Sequence, residues 1–404
     1  MRLLLSTIGS RGDVQPLVAL ALQLRALGQE ARLCVPPDFR EWIDSLGFSV
    51  TPIGPDLRKA AAPGPPAPPS PERRRQLAEG TVATQFETVS AAAQGCDVIV
   101  GATALQVAAP SVAEVMGIPY VFAAYCPTVI PSPHHAPPPL PSPGQPPPAA
   151  VIDNRELWAR NAERFNDTFG AALNSHRASS GLTPVDDVQS HIFTGRPWLA
   201  ADRALAPWPG PADGAVFQTG AWILPDERPL APDVETFLDA GEPPVYFGFG
   251  SMRAPQDLGR VMVQAARAVG RRAIVSRGWA DLSLTEHEPD CFSIGEVNVQ
   301  ALFGRVAAVV HHGGAGTTTA AAAAGAPQVV VPQMYDQHYW AERVRHLGIG
   351  AAHAAGAPAA DSLASALQQA LEPEVAARAR SIAGSVRSDG AEVAARALME
   401  LHRG

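Results

Sequence analysis

The chain has 404 residues, more than a single hydrophobic core usually contains, so two domains are expected. Its formal net charge of -8, with no basic run beyond Arg73–Arg75, argues against a nucleic-acid partner. The four cysteines, at positions 34, 96, 126 and 291, lack metal-ligand spacing, and no apolar stretch is long enough to span a bilayer. We therefore expect a cytoplasmic protein without a metal site.

Strands and helices alternate through the first half of the chain. The run Leu3–Ser6 predicts a buried strand rather than a signal peptide, and apolar residues then recur at helical spacing until Gly28. Short apolar runs at Arg32–Val35, Val98–Val100 and Tyr120–Phe122 predict further strands. This alternation is typical of an α/β domain with a doubly wound parallel sheet, which is a Rossmann-like domain.

A second series of strands predicts a second Rossmann-like domain. Its apolar runs are Val245–Phe249, Ala273–Ser276, Val306–Val310 and Val329–Val331. Proline density between the two series is typical of an interdomain linker. The predicted boundaries are an N-terminal domain at 1–206, a linker at 207–232, a C-terminal domain at 233–385 and a C-terminal helix within 386–404 that packs back on the first domain.

A long proline-rich segment, Pro127–Pro148, interrupts the first domain. Long loops inside compact domains usually have a function, so this loop is interpreted as a mobile wall of a binding site. The alternative is a surface loop without a role.

The segment His311–Thr319 is the most informative motif. It follows an apolar strand and opens an alanine-rich helix, predicted over Thr317–Ala324. A glycine-rich turn at a helix N-terminus binds anions, because backbone N–H groups and the helix dipole face the ligand. A nucleotide diphosphate is the expected ligand. The loop lacks the GxxxxGK[ST] and GxGxxG patterns, which argues against an ATPase and a dehydrogenase.

This HHGGAGTT loop and the Pro332–Gln337 segment resemble those of GT-B nucleotide-sugar glycosyltransferases. Four further segments are similar to the bacterial glycosyltransferases that act on glycopeptide antibiotics of the vancomycin and teicoplanin type. They are GSRGD at 9–13, LNSHR at 173–177, QTGAWILPDERP at 218–229 and SRGWADL at 276–282. The resemblance implies a GT-B fold, with two Rossmann-like domains that face each other across a cleft.

The family also implies a function. We expect an inverting, metal-independent glycosyltransferase that moves a sugar from a UDP- or dTDP-sugar to a hydroxyl of a glycopeptide aglycone. The nucleotide sugar is a co-substrate, so no cofactor is expected, and the protein is expected to act as a monomer. The N-terminal domain would bind the acceptor and the C-terminal domain the donor.

Asp13 is the candidate catalytic residue of the first domain. It follows the first strand, at the sheet edge where α/β folds usually bind ligands. Its carboxylate could act as a general base or cap a helix that begins at Val14, and the resemblance implies the base. Ser10, Arg11 and Gly12 would line the same loop and contact the donor phosphates.

The C-terminal domain supplies the other candidate residues. Ser251 follows a strand and could bind a phosphate oxygen or cap a helix. The resemblance assigns a donor-phosphate contact to His312, whereas His311 is expected to pack or to orient the loop. The backbone or hydroxyl groups of Gly313, Gly314, Gly316 and Thr317 would bind the diphosphate and stabilise it as the leaving group.

Three further assignments concern the sugar and the base. The resemblance implies that Asp336 and Gln337 bind sugar hydroxyls, while a simple Asp turn is the alternative. It also implies that the backbone at Val297 and Val299 contacts the nucleobase. Trp279 is either a stacking platform or a core anchor.

Several alternatives stay open at this point. Gly313 and Gly314 favour a glucose-type donor, but transfer of a dTDP-deoxyaminosugar to the same acceptor class is also compatible with Asp336 and Gln337. A nucleotide-sugar epimerase of similar architecture would need no acceptor loop. A non-catalytic nucleotide-sugar-binding protein would tolerate loss of Asp13.

Overall fold

A computed structural model describes residues 1–60, 70–103, 105–139, 153–210, 216–252, 257–279, 281–282, 289–354 and 356–401. Within these residues the chain forms two parallel sheets, of seven and six strands, each at the centre of one lobe. The predicted α/β class with two Rossmann-like domains is therefore confirmed. None of the described helices is both long and apolar enough to cross a membrane.

The sheet of the first lobe has the strand order β3-β2-β1-β4-β5-β6-β7. Its strands are β1 (Arg2–Thr7), β2 (Glu30–Val35), β3 (Val50–Pro52), β4 (Val98–Ala102), β5 (Tyr120–Ala124), β6 (Trp198–Leu199) and β7 (Phe217–Gln218). Its helices are α1 (Arg11–Ala26), α2 (Arg40–Ser45), α3 (Leu57–Ala60), α4 (Pro71–Ala92), α5 (Ala109–Met116), α6 (Asn154–Phe165), α7 (Ala171–Ser179) and α8 (Val188–Phe193).

The sheet of the second lobe has the order β10-β9-β8-β11-β12-β13. Its strands are β8 (Val245–Gly248), β9 (Ala273–Ser276), β10 (Cys291–Ile294), β11 (Ala308–His311), β12 (Gln328–Val330) and β13 (Gly350–Ala352). The remaining helices are α9 (Pro232–Asp239), α10 (Leu258–Ala268), α11 (Val299–Phe303), α12 (Ala315–Ala323), α13 (Gln337–His346), α14 (Ala360–Ala370), α15 (Pro373–Ala383) and α16 (Gly390–Leu401).

Both sheets are buried on two faces, which explains their continuous apolar strands. In the first lobe Leu5 pairs with Leu33 on one side and with Val100 on the other, and all three are fully buried. The strand order reverses between β1 and β4, and again between β8 and β11. The crevices outside the carboxyl ends of these strands are the expected ligand sites.

The first sheet extends beyond the predicted domain boundary at residue 206. Its last strand, β7, pairs with Trp198 and Leu199 of β6 but lies within the predicted linker, 207–232. The prolines around Trp208 therefore interrupt a connection inside the first lobe rather than mark its end. Proline density shows where regular structure stops, but not which sheet the chain joins next.

The chain crosses between the lobes at two places that touch each other. The first crossing leaves β7 through Gly220, and the second precedes α16, which packs against α1. A Cβ atom on Gly390 would lie 2.4 Å from the carbonyl carbon of Gly220 and 2.5 Å from the oxygen of Ala221. Gly220 itself has a φ of 97°, a conformation that favours glycine.

Candidate active site

Asp13 lies in the first turn of α1, behind the carboxyl end of β1. Its Oδ2 accepts hydrogen bonds from the Ser10 amide at 2.7 Å and from the Ser10 hydroxyl at 3.2 Å. The helix begins at Arg11 with Ser10 as its N-cap, so the alternative of Asp13 as the cap of a helix starting at Val14 is wrong. Asp13 is instead the third helical residue, where a carboxylate reaches back to the cap amide as in a capping box.

Burial raises the pKa of the Asp13 carboxyl from its ordinary 3.8 to about 6, against the hydrogen bonds from Ser10. The residue is nevertheless only partly buried. The Tyr125 hydroxyl, at the end of β5, donates to the Asp13 carbonyl at 3.0 Å and fixes this turn. A carboxylate with such a pKa is ionised near neutral pH and still basic, which suits a general base.

In the second lobe, the buried side chain of His311 supports the glycine-rich loop. It is fully buried, its Nε2 lies 2.9 Å from Gln328 Oε1, and its Nδ1 accepts from the Gly313 amide at 3.1 Å. Burial lowers the pKa of His311 to about 3, so the ring is neutral, and the two bonds together place its proton on Nε2. His311 thus orients the loop.

The loop conformation requires glycine at position 313. Gly313 has a φ of 94°, and a Cβ atom there would lie 2.8 Å from Val330 Cγ1 and 3.0 Å from the Gln337 carbonyl oxygen. The following helix, α12, begins at Ala315 with Gly314 as N-cap, two residues before the predicted start. Gly316 and Thr317 therefore lie in its first turn, where backbone N–H groups lack helical partners and can bind an anion.

His312 faces the loop that follows β8. A Cβ atom on Gly250 would lie 3.2 Å from His312 Cε1, and Ser251 comes next in the chain. Burial lowers the pKa of His312 to about 4, so the ring is neutral near pH 7. Its Nδ1 has no hydrogen-bond partner among the described residues. The structure thus brings Ser251, His312 and the start of α12 to one edge of the sheet.

Asp336 faces Asp13 across the cleft. Burial raises the pKa of Asp336 to about 6, and the negative charge of Asp13 adds to this rise. Its Oδ2 accepts from Trp340 Nε1 at 3.2 Å, one turn along α13. Cys126 of the first lobe also lies near Asp336. Burial is the main cause that raises the pKa of its thiol, and the negative charge of Asp336 is the second. The two carboxylates, one from each lobe, are therefore close enough to interact electrostatically.

Gln337 uses its amide inside the protein. Its Oε1 accepts from the amides of Gln333 and Met334 at 2.8 and 3.1 Å, and its Nε2 lies 3.4 Å from Met252 Sδ. These contacts tie the loop before α13 to the loop after β8. The predicted contact of Gln337 with the sugar stays a prediction.

Val297 and Val299 flank Asn298 at the carboxyl end of β10. Asn298 caps α11 by accepting from the Ala301 amide at 3.1 Å, and its Nδ2 donates to the carbonyls of residues 226 and 228 at 2.8 and 2.7 Å. An open pocket of about 280 Å³ borders this segment, and Val297, Arg277 and Arg228 are among its lining residues. The backbone predicted to contact the nucleobase is thus rigidly held.

Arg11 contacts an aromatic ring of its own lobe and a carboxylate of the second lobe. Its guanidinium carbon lies 3.5 Å from the centroid of the Trp42 ring, and its Nη2 lies 3.3 Å from Glu296 Oε1 of the second lobe. Gly12 is exposed beside it, and the Ser10 amide and hydroxyl bond to Asp13. The predicted donor-phosphate contacts of these three residues are therefore not preformed.

Trp279 connects the lobes. It stacks on Phe39 with ring centroids 6.2 Å apart, and the Arg58 guanidinium lies 5.6 Å from its ring. Its side chain packs against the core of the first lobe, as the core-anchor alternative predicts.

The described part of the predicted acceptor wall, 127–139, is held by His135. The His135 ring lies 2.8 Å from the Ile130 carbonyl, its own carbonyl accepts from Trp158 Nε1 at 2.9 Å, and its ring contacts Trp158 and Trp208 edge-on. The remainder of the predicted loop, 140–148, lies outside the described residues.

Sequence reasoning missed three contributors to the site. Glu296 gave no signal, because its partner Arg11 is far away in the chain. Trp340 could have been found, since it stands four residues after Asp336 on a predicted loop-to-helix junction. Tyr335, before Asp336, has a φ of 52°, which the sequence does not reveal.

Comparisons with known proteins identify the family of this chain. Residues 3–131 match the family model of the glycosyltransferase family 28 N-terminal domain, and residues 260–398 match that of the erythromycin biosynthesis protein CIII-like C-terminal domain. The vancomycin aglycone glucosyltransferase of Amycolatopsis orientalis is 53% identical over 402 residues, which cover 99% of this chain and 97% of the relative. The dTDP-epi-vancosaminyltransferase of the same organism is 45% identical over 390 residues, covering 95% and 93%.

Solved structures show the same fold. The glycosyltransferase of kitacinnamycin covers 99% of this chain and 98% of its own, with a TM-score of 0.72 at 20% identity. The glycosyltransferase VinC in complex with dTDP covers all of both chains with a TM-score of 0.69 at 21% identity. Together, the two facing parallel-sheet lobes and the sequence identity over nearly the full length confirm the resemblance: the chain belongs to the GT-B glycosyltransferases of the vancomycin type.

Proposed function

We propose that the protein transfers a glucose-type sugar from a UDP- or dTDP-sugar to a hydroxyl of a glycopeptide antibiotic aglycone, with inversion at the anomeric carbon. The observation that carries this proposal is the position of Asp13. This basic carboxylate of the first lobe faces a second lobe that presents a helix N-terminus, His312 and Asp336. The similarity to the vancomycin aglycone glucosyltransferase supports the choice of acceptor.

Each lobe has one task in this proposal. The first lobe binds the aglycone so that its hydroxyl reaches the Asp13 carboxylate, which takes the proton as the oxygen attacks the anomeric carbon. The described part of the predicted wall, 127–139, lies on the first lobe and would contact the acceptor. The second lobe binds the donor through the backbone of Val297 and Val299, the sugar contacts of Asp336 and Gln337, and the diphosphate contacts of Ser251 and the glycine-rich loop.

The leaving nucleoside diphosphate gains negative charge as its bond to the anomeric carbon breaks and the new glycosidic bond forms. We propose that the N–H groups of Gly313, Gly314, Gly316 and Thr317, the helix dipole of α12 and the neutral His312 ring stabilise this charge. These groups are preorganised, because His311 and Gln337 hold the loops. We therefore expect full turnover in a chelating buffer. Activity that is lost with chelator and returns with magnesium or manganese would contradict this part of the proposal.

A second donor class has support of its own. The dTDP-epi-vancosaminyltransferase is 45% identical to this chain, so a dTDP-deoxyaminosugar is the alternative donor. Gly313 and Gly314, both retained here, favour the glucose-type donor.

One assay tests the function and ranks the donors. The protein, which we expect to act as a monomer, is incubated with UDP-glucose, dTDP-glucose or a dTDP-deoxyaminosugar and with a panel of glycopeptide aglycones. Mass spectrometry should detect one added hexose with a glucose donor, and NMR of the product should show the inverted anomer. A product that carries only the aminosugar would select the alternative. Epimerised donor without any transfer would overturn the proposal in favour of an isomerase.

A further inference from the structure

Tyr335 is unlike every other aromatic side chain in the described ranges. Its exposed fraction is 46%, whereas the other described Phe, Tyr and Trp residues are buried or half-buried. Neither its ring nor its hydroxyl has a hydrogen-bond or ring partner within the part of the chain that the structure describes. Nearly half of the surface of a large amphipathic residue is thus displayed to solvent.

The backbone conformation that presents this ring to solvent is strained. Tyr335 has a φ of 52°, in the left-handed region that bulky residues rarely adopt. The turn is fixed on both sides, since Gln337 binds the amides of Gln333 and Met334, and Trp340 binds Asp336. Strain of this kind persists only where neighbouring structure enforces it, and it is commonest at functional sites.

The position of Tyr335 relates it to the reacting groups. It directly precedes Asp336, whose hydrogen-bond partner Trp340 packs in the same core cluster as Cys126 of the first lobe. The diphosphate loop lies on the other side of Asp336, because Gly313 packs against Gln337. Tyr335 therefore stands at the rim of the cleft, beside the reaction centre.

We propose that Tyr335 stacks on an aromatic ring of the acceptor, next to the hydroxyl that receives the sugar. This inference rests on the proposed function and specifies it: the second lobe, besides binding the donor, contributes Tyr335 to acceptor recognition. Offset stacking supplies affinity and orientation, and the exposed ring needs no rearrangement to receive a planar partner. The donor sugar, deeper in the cleft, would be left to polar groups.

Three variants separate the ring from the strain. Tyr335→Phe keeps the ring, Tyr335→Ala removes it and keeps a Cβ atom at positive φ, and Tyr335→Gly removes both. Val393→Ala, at an exposed position on α16, is the matched control. The acceptor KM is measured at saturating donor, the donor KM at saturating acceptor, and slow donor hydrolysis without acceptor. Calorimetric titration of the aglycone measures binding without turnover.

We expect the alanine and glycine variants to raise the acceptor KM about three- to tenfold, with unchanged donor KM and donor hydrolysis. The phenylalanine variant should stay within about twofold of the parent protein, as stacking without the hydroxyl predicts. The glycine variant should melt above the alanine variant, because it relieves the strain.

Two results would overturn the inference. An unchanged acceptor KM in Tyr335→Ala, or a raised donor KM with impaired donor hydrolysis, would show that the ring does not serve the acceptor. The proposed function would survive both. Conversely, if the parent protein transfers no sugar but binds aglycone in a Tyr335-dependent way, the proposed function fails and the stacking assignment stands. Absence of both transfer and aglycone binding would contradict both.

Discussion

Arg11 of the first lobe and Glu296 of the second form an ion pair across the cleft, with Nη2 and Oε1 3.3 Å apart. The Arg11 guanidinium also lies on Trp42 and receives support from Gln15, to which its Nε donates at 2.9 Å. Glu296 directly precedes Val297, in the segment proposed to contact the nucleobase. The pair therefore joins the start of α1 to the donor side of the cleft.

We predict that Glu296→Gln will separate the ion pair that Arg11 forms from its proposed contact with the donor phosphates. If Arg11 contacts the donor phosphates, its release from Glu296 should leave the donor KM unchanged or lower it, whereas Arg11→Gln should raise it. Because both side chains are partly exposed, the double-mutant coupling in thermal unfolding should not exceed about 1 kcal/mol. Equal donor KM values in Glu296→Gln, Arg11→Gln and the double variant would remove Arg11 from the donor site.

Asp13→Asn should abolish most turnover without unfolding the protein. Asparagine retains an oxygen that can accept from the Ser10 amide, so the first turn of α1 should survive. Loss of a general base typically lowers the rate roughly a hundred- to ten-thousand-fold. Melting temperature and nucleotide affinity should stay near those of the parent protein. Near-normal turnover would instead assign the base role elsewhere, with Asp336 as the first residue to examine.

The rate should rise with pH through the slightly acidic range. Burial raises the pKa of both Asp13 and Asp336 to about 6, and a base acts only when deprotonated, so kcat/KM should increase between about pH 5 and pH 7. The apparent midpoint belongs to the pair. Asp336→Asn removes a negative charge near Asp13 and should shift the rising limb of its residual activity to lower pH. A flat profile over this range would show that no such carboxylate limits the reaction.

His312→Ala should weaken nucleotide binding about three- to tenfold, the usual effect of losing one neutral hydrogen bond. Titration calorimetry with UDP and with dTDP would measure it. Because burial holds the pKa of His312 near 4, the loss should be the same at pH 6.5 and pH 8. His346→Ala, exposed at the far end of α13, is the control. Unchanged affinity in the His312 variant would exclude this ring from the phosphate site.

Gly390→Ala should destabilise the protein by about 1–3 kcal/mol, because the new methyl group overlaps backbone atoms of Gly220 and Ala221 that cannot rotate away. Gly384→Ala is the matched control, since its Cβ atom would meet no heavy atom within 4 Å. The control should be neutral or slightly more stable. Similar melting temperatures for the two variants would argue against a tight contact between the crossings.

The sequence predicted those parts of the fold and site that depend on local pattern. Apolar runs identified the two sheets, and glycines after a strand identified the loop at Gly313, because only glycine fits its backbone. The predicted end of the first lobe came too early in the chain. The last strand, β7, is only two residues long and follows a proline-rich segment. The contacts of Arg11 with Trp42 and Glu296 were not predicted, because tertiary packing decides which residues form cation–π contacts and ion pairs. No local pattern encodes them.

The packing of α16 has a consequence for biosynthesis of the protein. Ala394, Ala395 and Leu398 of this helix are fully buried in the core that contains Leu17 of α1. The first lobe therefore lacks one wall of its core until the second lobe has been synthesised. Domains usually fold in order from the N-terminus, but here the apolar face of α1 must wait for the last described helix. An isolated first lobe should accordingly be prone to aggregate, whereas addition of an α16 peptide should restore its solubility.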